Sequence, residues 1–336
     1  MDITEIKKKY SHYGLCLMIY MLVIELSGYF MRFIANKAGL DYTSNSWLTY
    51  FFGLAPIWLI GFPVLLLLLK SMPKETPEEH QIKPIYMIQF YAMLVFLMMV
   101  ANLFGQFVVI VLEKISGLTI DNTTIDMISG QELPQTLLFT VIMAPILEEI
   151  TFRKILIDRL GQYSKKYSIL LSGLTFGIFH QNIHQFFYAT VIGILFAYIY
   201  SISGRIRYTI GLHMMVNFFH GFLPILLIKG LDMEKINAMS DISPEQAMDP
   251  EVQQEVMALY SNPSFLFLLV YVFLILALFI TGLVLLCVNI KKMKVYEADP
   301  LVTKENALKT VFFNGGMIGF YIVSFILMVI TIILIQ

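Results

Sequence analysis

Charged side chains are scarce in this sequence. Lysine, arginine, aspartate and glutamate make up 14% of the 336 residues, and hydrophobic residues make up 58%. A soluble domain has about 25% charged and about 45–50% apolar residues. The mean hydropathy of +0.74 likewise shows that this chain is more apolar than such a domain. The composition therefore excludes a soluble globular domain. It predicts an all-α, polytopic membrane protein, because a helix of about 20 apolar residues crosses a hydrocarbon core about 30 Å thick.

Cysteine is also nearly absent. Cys16 and Cys287 both lie in apolar segments, so the sequence predicts neither a disulfide framework nor a thiolate zinc site. Glycine-rich phosphate-binding loops, basic nucleic-acid-binding patches and cofactor fingerprints are missing too, and no nucleic-acid partner is expected. Any chemistry must come from the few polar residues inside the apolar segments.

Hydropathy predicts a transmembrane helix bundle of eight or nine spans. The nine candidate spans are 12–35, 47–70, 84–112, 134–158, 167–183, 185–203, 206–228, 264–290 and 311–335. The last span carries Gly315 and Gly319 at the spacing that lets two helices approach closely. We therefore expect this span to pack tightly against a neighbouring helix.

The spans divide the chain into four parts. We expect about three N-terminal helices in 1–133, a catalytic core in 134–228, an acidic extracytoplasmic loop in 229–263 and about two C-terminal helices in 264–336. Within the loop, Ser243-Pro244 and Asp249-Pro250 each place a capping side chain before a proline at the first helical position. These pairs predict a short helical cap outside the membrane.

Lysine and arginine are distributed asymmetrically between the loops. One side would carry Lys7, Lys8, Lys9, Lys70, Lys74, Lys83, Lys154, Arg159, Lys165, Lys166, Arg205, Arg207, Lys291, Lys292, Lys294, Lys304 and Lys309, and the other Arg32, Lys37, Lys114, Lys229 and Lys235. The positive-inside rule then places the N-terminus in the cytoplasm and, with nine spans, the C-terminus outside.

Three charged residues lie within the apolar run APILEEITFRKIL. Ionisable groups at this depth are costly and usually mark function. Glu149 and Arg153 are four residues apart, so they share a helical face and can form an ion pair. Glu148 lies about 100° around the helix and is left without a partner on its own helix. We expect Glu148 to be the reactive carboxylate, since a desolvated glutamate acquires the basicity that a general base needs.

Two later spans contribute matching polar groups. Phe176 and His180 share one helical face, and His213 and Asn217 share another. At 1.5 Å per residue from the cytoplasmic ends, Glu148 lies about 15 Å deep, His180 about 20 Å, His213 about 10 Å and Asn217 about 16 Å. Similar depths predict one shared pocket reached from the cytoplasmic half, with the acid-base and oxyanion-binding groups of a hydrolase.

Each element also has a purely structural alternative. Glu149 and Arg153 can be a structural ion pair. A buried histidine is more often a core residue than a catalytic one, and His213 with Asn217 can form an interhelical hydrogen-bond clamp.

Three motifs follow one another on successive membrane helices: Glu148-Glu149-x-x-x-Arg153, Phe176-x-x-x-His180 and His213-x-x-x-Asn217. Together they resemble the type II CAAX prenyl protease and bacteriocin-processing (Abi) family of intramembrane proteases. The resemblance covers about residues 134–222 and points to a bacterial member in the plasma membrane. It implies catalysis by Glu148, His180 and His213. From the chemistry of the side chains we expect Asn217 to join them as an oxyanion donor, with Glu149, Arg153 and Phe176 in support. The implied partners are the lipid bilayer and a peptide or membrane-protein substrate.

We expect Glu148 and His180 to activate a water without a metal. In the alternative, Glu148, His180 and His213 bind a zinc ion. Two non-hydrolytic functions stay open. One is an immunity or scaffold protein that binds a peptide in the same cavity. The other is a proton-coupled transporter lined by Glu25, Arg32, Asn102 and Gln106, although Glu25 and Arg32 can simply satisfy one another or neighbouring helices.

Overall fold

The protein, described by a computed structural model, forms helices joined by turns and loops, with no strand, in the residues that the structure describes, namely 2–122, 132–231, 236, 246–295 and 301–334. Within these ranges, eight helices are long and apolar enough to cross a membrane. The predicted all-α membrane bundle is therefore confirmed. In chain order the helices are α1 (Ile3–Lys37), α2 (Ser46–Leu68), α3 (Pro84–Ser116), α4 (Leu133–Leu160), α5 (Lys165–Phe179), α6 (Ile183–Ser203), α7 (Ile206–Lys229), α8 (Pro250–Tyr260), α9 (Pro263–Asn289) and α10 (Gly315–Leu334).

Helix α5 is shorter than the predicted span 167–183. It has 15 residues, about 22 Å of helix, which is less than the hydrocarbon core of about 30 Å. The Ser164 side chain caps its start by accepting from the backbone N–H of Tyr167. Helix α6 starts after Asn182, whose side chain accepts from the N–H of His184. The span predicted from hydropathy, 167–183, therefore includes the turn 180–182, which separates α5 from α6.

The acidic loop contains one of the two predicted helix starts. Helix α8 begins at Pro250, and the Asp249 side chain accepts a hydrogen bond from the backbone N–H of Glu251, which confirms that start. The other predicted start, Ser243-Pro244, lies outside the described residues, as do Asp232, Glu234, Asp241 and Glu245.

An extended segment, residues 73–83, ties α4 to α6 at one end of the bundle. The Glu75 N–H donates to the Asp158 carbonyl at 2.6 Å, and the His80 N–H donates to the Ser203 carbonyl at 2.8 Å. Glu79 and Arg205 form an ion pair at 3.1 Å. These contacts fix the ends of the helices that flank the polar residues described below.

Helices α1 and α10 approach closely at Gly316. A Cβ added at Gly316 would overlap the Ser11 carbonyl, and one added at Gly14 would lie 2.5 Å from the Met317 nitrogen. Gly315 is not in this contact, since a Cβ there would be 3.9 Å from its nearest neighbour, the Ser11 hydroxyl. Tight packing of this span was therefore predicted correctly, but Gly315 was the wrong glycine, because spacing alone does not give the rotation of a helix.

This contact gives a matched pair of variants. Gly316→Ala should destabilise the protein by about 1–3 kcal/mol, because the overlap is with backbone and must move α10 away from α1. Gly315→Ala should leave stability unchanged. Thermal unfolding in detergent measures both, and equal shifts in Tm would contradict the packing described.

Candidate active site

Glu149 and Arg153 form a fully buried ion pair. Both side chains are 0% exposed, and Arg153 Nε lies 3.2 Å from Glu149 Oε2. The guanidinium carbon lies 4.1 Å from the centre of the Phe176 ring and 5.4 Å from that of Phe196. Gly193 of α6 leaves space for the guanidinium, since a Cβ there would be 3.4 Å from Arg153 Nη2. The pair predicted from the four-residue spacing is present, enclosed by aromatic rings.

His213 lies between the two glutamates. Its Nδ1 is 2.8 Å from Glu149 Oε1, and its Nε2 is 3.5 Å from Glu148 Oε2. The imidazole packs against Phe176 and Phe196, with ring centres 5.8 and 5.4 Å apart. Glu149 thus has two partners, a guanidinium and an imidazole, and it holds the imidazole in one orientation.

Glu148 differs from its neighbour in exposure. Its side chain is 29% exposed, whereas that of Glu149 is completely buried. No residue of its own helix pairs with it among those described, and its one ion-pair contact is with His213. Glu148 is therefore the carboxylate that a molecule entering the site can reach.

His180 is oriented by the end of α5. Its Nδ1–H donates to the Phe176 carbonyl at 2.8 Å, and its ring packs edge-on against Phe176 with centres 4.7 Å apart. Glu148 and His213 are both close enough to interact with it electrostatically. With the proton on Nδ1, Nε2 keeps a lone pair that can accept a proton.

Asn217 is held by a backbone carbonyl of α4. Pro145 has no N–H, so the carbonyls four and five residues before it lose the donor that residue 145 would have supplied. One of these is Thr140, in a π-helical turn of α4, and Asn217 Nδ2 donates to it at 2.9 Å. Asn217 itself begins a π-helical turn in α7, an irregularity frequent at functional sites. The bonds of Asn217 and His213 both join α7 to α4, so the interhelical clamp is present.

The structure thus brings Glu148, His180 and His213 together and places Asn217 one helical turn beyond His213. Two other membrane histidines are elsewhere. His184 Nε2 bonds the Ile120 carbonyl at 2.9 Å, and His220 Nε2 lies 3.3 Å from the Tyr91 hydroxyl.

Sequence reasoning missed one contact next to His180. Gln181 Nε2 donates to Glu25 Oε1 of α1 at 2.9 Å. Glu25 was expected to line a transporter path, or to be satisfied by Arg32 or by neighbouring helices. No ion pair with Arg32 occurs in the described part of the chain, and the contact is instead with the turn between α5 and α6. The presence of a carboxylate inside the first span was the available signal.

A metal ion would need at least three converging ligands. In the ranges that the structure covers, no three His, Cys, Asp or Glu side chains form a group that could hold one. Glu148, His180 and His213 are not such a group in the described structure, so we derive no step through a metal. The Nδ1 contacts of His180 and His213 leave both Nε2 atoms available, as they are in metal-ligating histidines, so the zinc alternative is left to direct measurement.

The fold and the site define a polytopic helical membrane protein with a glutamate and two histidines at one internal site. Residues 130–219 match the family described as type II CAAX prenyl endopeptidase Rce1-like. All four candidate catalytic residues fall in this range. This part of the chain is therefore similar to the Rce1-like family, and the resemblance seen in its motifs is confirmed.

A relative from Bacillus subtilis (strain 168), named "Putative membrane peptidase YdiL", is 33% identical over 160 residues. The match covers 46% of this chain and 64% of that protein, so the chain spans a little under two thirds of the relative's length. No solved structure matches the chain.

Proposed function

We propose that this protein is an intramembrane endopeptidase that hydrolyses a peptide bond in a membrane-associated peptide or protein. The observation that carries the proposal is the division between two adjacent glutamates. Glu149 is buried and held by Arg153, whereas Glu148 is exposed to the site and lies beside two histidines. The family match over the same residues supports peptide hydrolysis as the reaction.

In the proposed first step, Glu148 and His180 bind a water molecule and Glu148 takes one of its protons. The hydroxide oxygen attacks the substrate carbonyl carbon, and the carbonyl π electrons move to the oxygen, which becomes an oxyanion. When the C–N bond breaks, Glu148 returns the proton to the leaving amine. His180 suits this role because its Nδ1–H is bonded to the Phe176 carbonyl, which leaves Nε2 as an acceptor for the water.

His213 and Asn217 would stabilise the oxyanion. His213 can donate from Nε2 only when both of its nitrogens carry protons, since its Nδ1–H is directed at Glu149. Glu149 and Glu148 on either side would balance the charge of that imidazolium. Asn217 uses one amide N–H on the Thr140 carbonyl, and its second N–H is the proposed donor.

Asn217→Ala should lower kcat about a hundredfold to a thousandfold, with a smaller change in KM, because the lost donor acts mainly on the transition state. Asn102→Ala is the matched control, since Asn102 is an exposed asparagine of the apolar helix α3. It should leave kcat unchanged. A loss confined to protein yield, with normal kcat in the folded fraction, would mean that Asn217 only clamps α7 to α4.

The function itself is tested by comparing membrane peptides from cells that carry the wild type with those that carry Glu148→Ala. We expect at least one membrane protein or peptide to accumulate uncleaved in the variant. If the two strains contain the same membrane peptides, and the Glu148→Ala strain keeps the cellular phenotype that the wild-type protein confers, a non-catalytic immunity or scaffold role would replace the proposal.

We also propose that the chain lies in a bacterial plasma membrane with its N-terminus in the cytoplasm. The lysine and arginine distribution supports this orientation. The test uses a variant without Cys16 and Cys287, in which a single cysteine replaces either Lys8 or Glu251. A thiol reagent that does not cross the membrane, added to whole cells, should label the cysteine at position 251 and not the one at position 8.

A further inference from the structure

A cavity of about 300 Å³ lies next to His180. Its polar lining consists of Glu25 from α1, Thr331 from α10 and the turn residues His180, Gln181 and Asn182. Its apolar lining includes Met21 of α1 and Ile57 of α2. The cavity therefore joins a histidine of the proposed active site to a carboxylate from a helix far away in sequence.

Glu25 lines the cavity and one of its oxygens bonds to the turn. Its Oε1 accepts from Gln181 Nε2 at 2.9 Å. No lysine, arginine or histidine among the described residues forms an ion pair with it. A charged residue within an apolar span is costly, and a bond to one neutral amide does not balance its charge. The position is thus suited to a cation supplied by another molecule.

Gln181 keeps this arrangement in place. It has φ of 51°, a value that residues with a side chain adopt at a cost. Its bond to Glu25 helps to hold that conformation directly after His180. Glu25 is consequently held against the residue that directly follows His180, as a specificity-determining group must be held near the reacting groups.

We propose that Glu25 is the cation-binding residue of a substrate subsite and takes the ammonium or guanidinium group of a lysine or arginine near the cleaved bond. The aliphatic stem of such a side chain would pack on Met21 and Ile57, and its charged end would reach Glu25. This inference rests on the proposed endopeptidase function, because His180 lines the same cavity.

Binding tests the subsite without requiring cleavage. The probes are pairs of fluorescent apolar peptides that differ at a single position, where one has lysine and the other norleucine. Norleucine has the same aliphatic stem as lysine but lacks the ammonium group. The position is moved along the peptide from one pair to the next. The protein is the full chain with Glu148→Gln, so that the peptides stay intact. At one position the lysine peptide should bind about tenfold more tightly than the norleucine peptide, as a hydrogen bond between two charged groups would give.

Glu25→Gln separates charge from positioning. Glutamine can still accept from Gln181, so the turn keeps its bond while the subsite loses its charge. In this variant the preference for lysine should fall to about one, with unchanged binding of the norleucine peptide. Glu5→Gln, the same change at an exposed position of α1, should keep the preference. Glu25→Lys should reverse it towards a peptide with glutamate at that position, a gain that misfolding cannot produce.

An unchanged preference for lysine in Glu25→Gln would overturn the subsite. So would equal weakening of both peptides, which would make Glu25 a positioning residue for the turn. Cleavage by the chain with Glu148 intact distinguishes the two proposals. If lysine binding depends on Glu25 but no peptide is cleaved, the subsite stands and the endopeptidase function fails. If peptides are cleaved with no lysine preference, the function stands and the subsite fails.

Discussion

Glu148→Gln should lower kcat for peptide hydrolysis by about 10²- to 10⁴-fold while the protein stays folded. The carboxamide has nearly the same shape as the carboxylate but cannot take a proton from water, so the loss measures proton transfer. Folding should be retained because Glu148 is 29% exposed and is not one of the buried ion-pair partners. The measurement is steady-state cleavage of a fluorogenic membrane peptide, with thermal unfolding measured in parallel.

Two comparisons make this result specific to the site. Glu113→Gln changes a glutamate at the end of α3, whose carboxylate accepts from the Ile120 N–H, and it should leave kcat within about twofold. His180→Ala should show a loss of the same order as Glu148→Gln, and the double variant should lose little more, because groups that act as a unit are not additive. Losses that multiply would show that the two residues act independently.

The second large effect is on stability. Glu149→Gln should lower the free energy of unfolding by about 3–5 kcal/mol, because it leaves Arg153 as a buried cation without its partner. Arg153→Met alone should also lower the free energy of unfolding, but by less, since Glu149 becomes a buried anion that keeps only the His213 imidazole as a partner. The double variant contains neither charge and should be more stable than either single variant.

The surface pair of Glu79 and Arg205 is the matched control. Its nitrogen and oxygen are 3.1 Å apart, but the Glu79 side chain is 65% exposed, and exposed pairs contribute about 0–1 kcal/mol. Glu79→Gln should therefore change stability by less than about 1 kcal/mol. Chemical unfolding in detergent measures all four variants. Equal effects at the buried and the exposed pair would show that burial does not govern the role of Glu149.

Much of the site could be predicted because its contacts are local in sequence. The ion pair follows from four residues of helix, and the capping role of Asp249 follows from two adjacent residues. Depth arithmetic grouped Glu148, His180 and His213, since it needs only the ends of the spans. The spacing of glycines does not give the rotation of a helix about its axis. For that reason Gly315 was predicted to make the close contact, whereas Gly316 makes it with α1.

The remaining features depend on residues far apart in the chain. Glu25 and Gln181 are 156 positions apart, and no local pattern pairs them. The bond from Asn217 to Thr140 depends on a carbonyl that Pro145 leaves without a donor, and on the crossing of α7 over α4. The end of α5 was misplaced because the polar turn His180–Asn182 is only three residues long and lies between two apolar helices, so hydropathy averaged over a window does not resolve it.

The proposed mechanism is tested most directly by assaying purified protein in lipid nanodiscs for cleavage of a substrate found by the proteomic comparison, with its metal content measured before and after chelation. A water activated by Glu148 predicts that the chelated wild type cleaves at its original rate with less than one metal ion per chain, and that Glu148→Gln does not cleave. A stoichiometric metal whose removal abolishes cleavage and whose return restores it would contradict the mechanism.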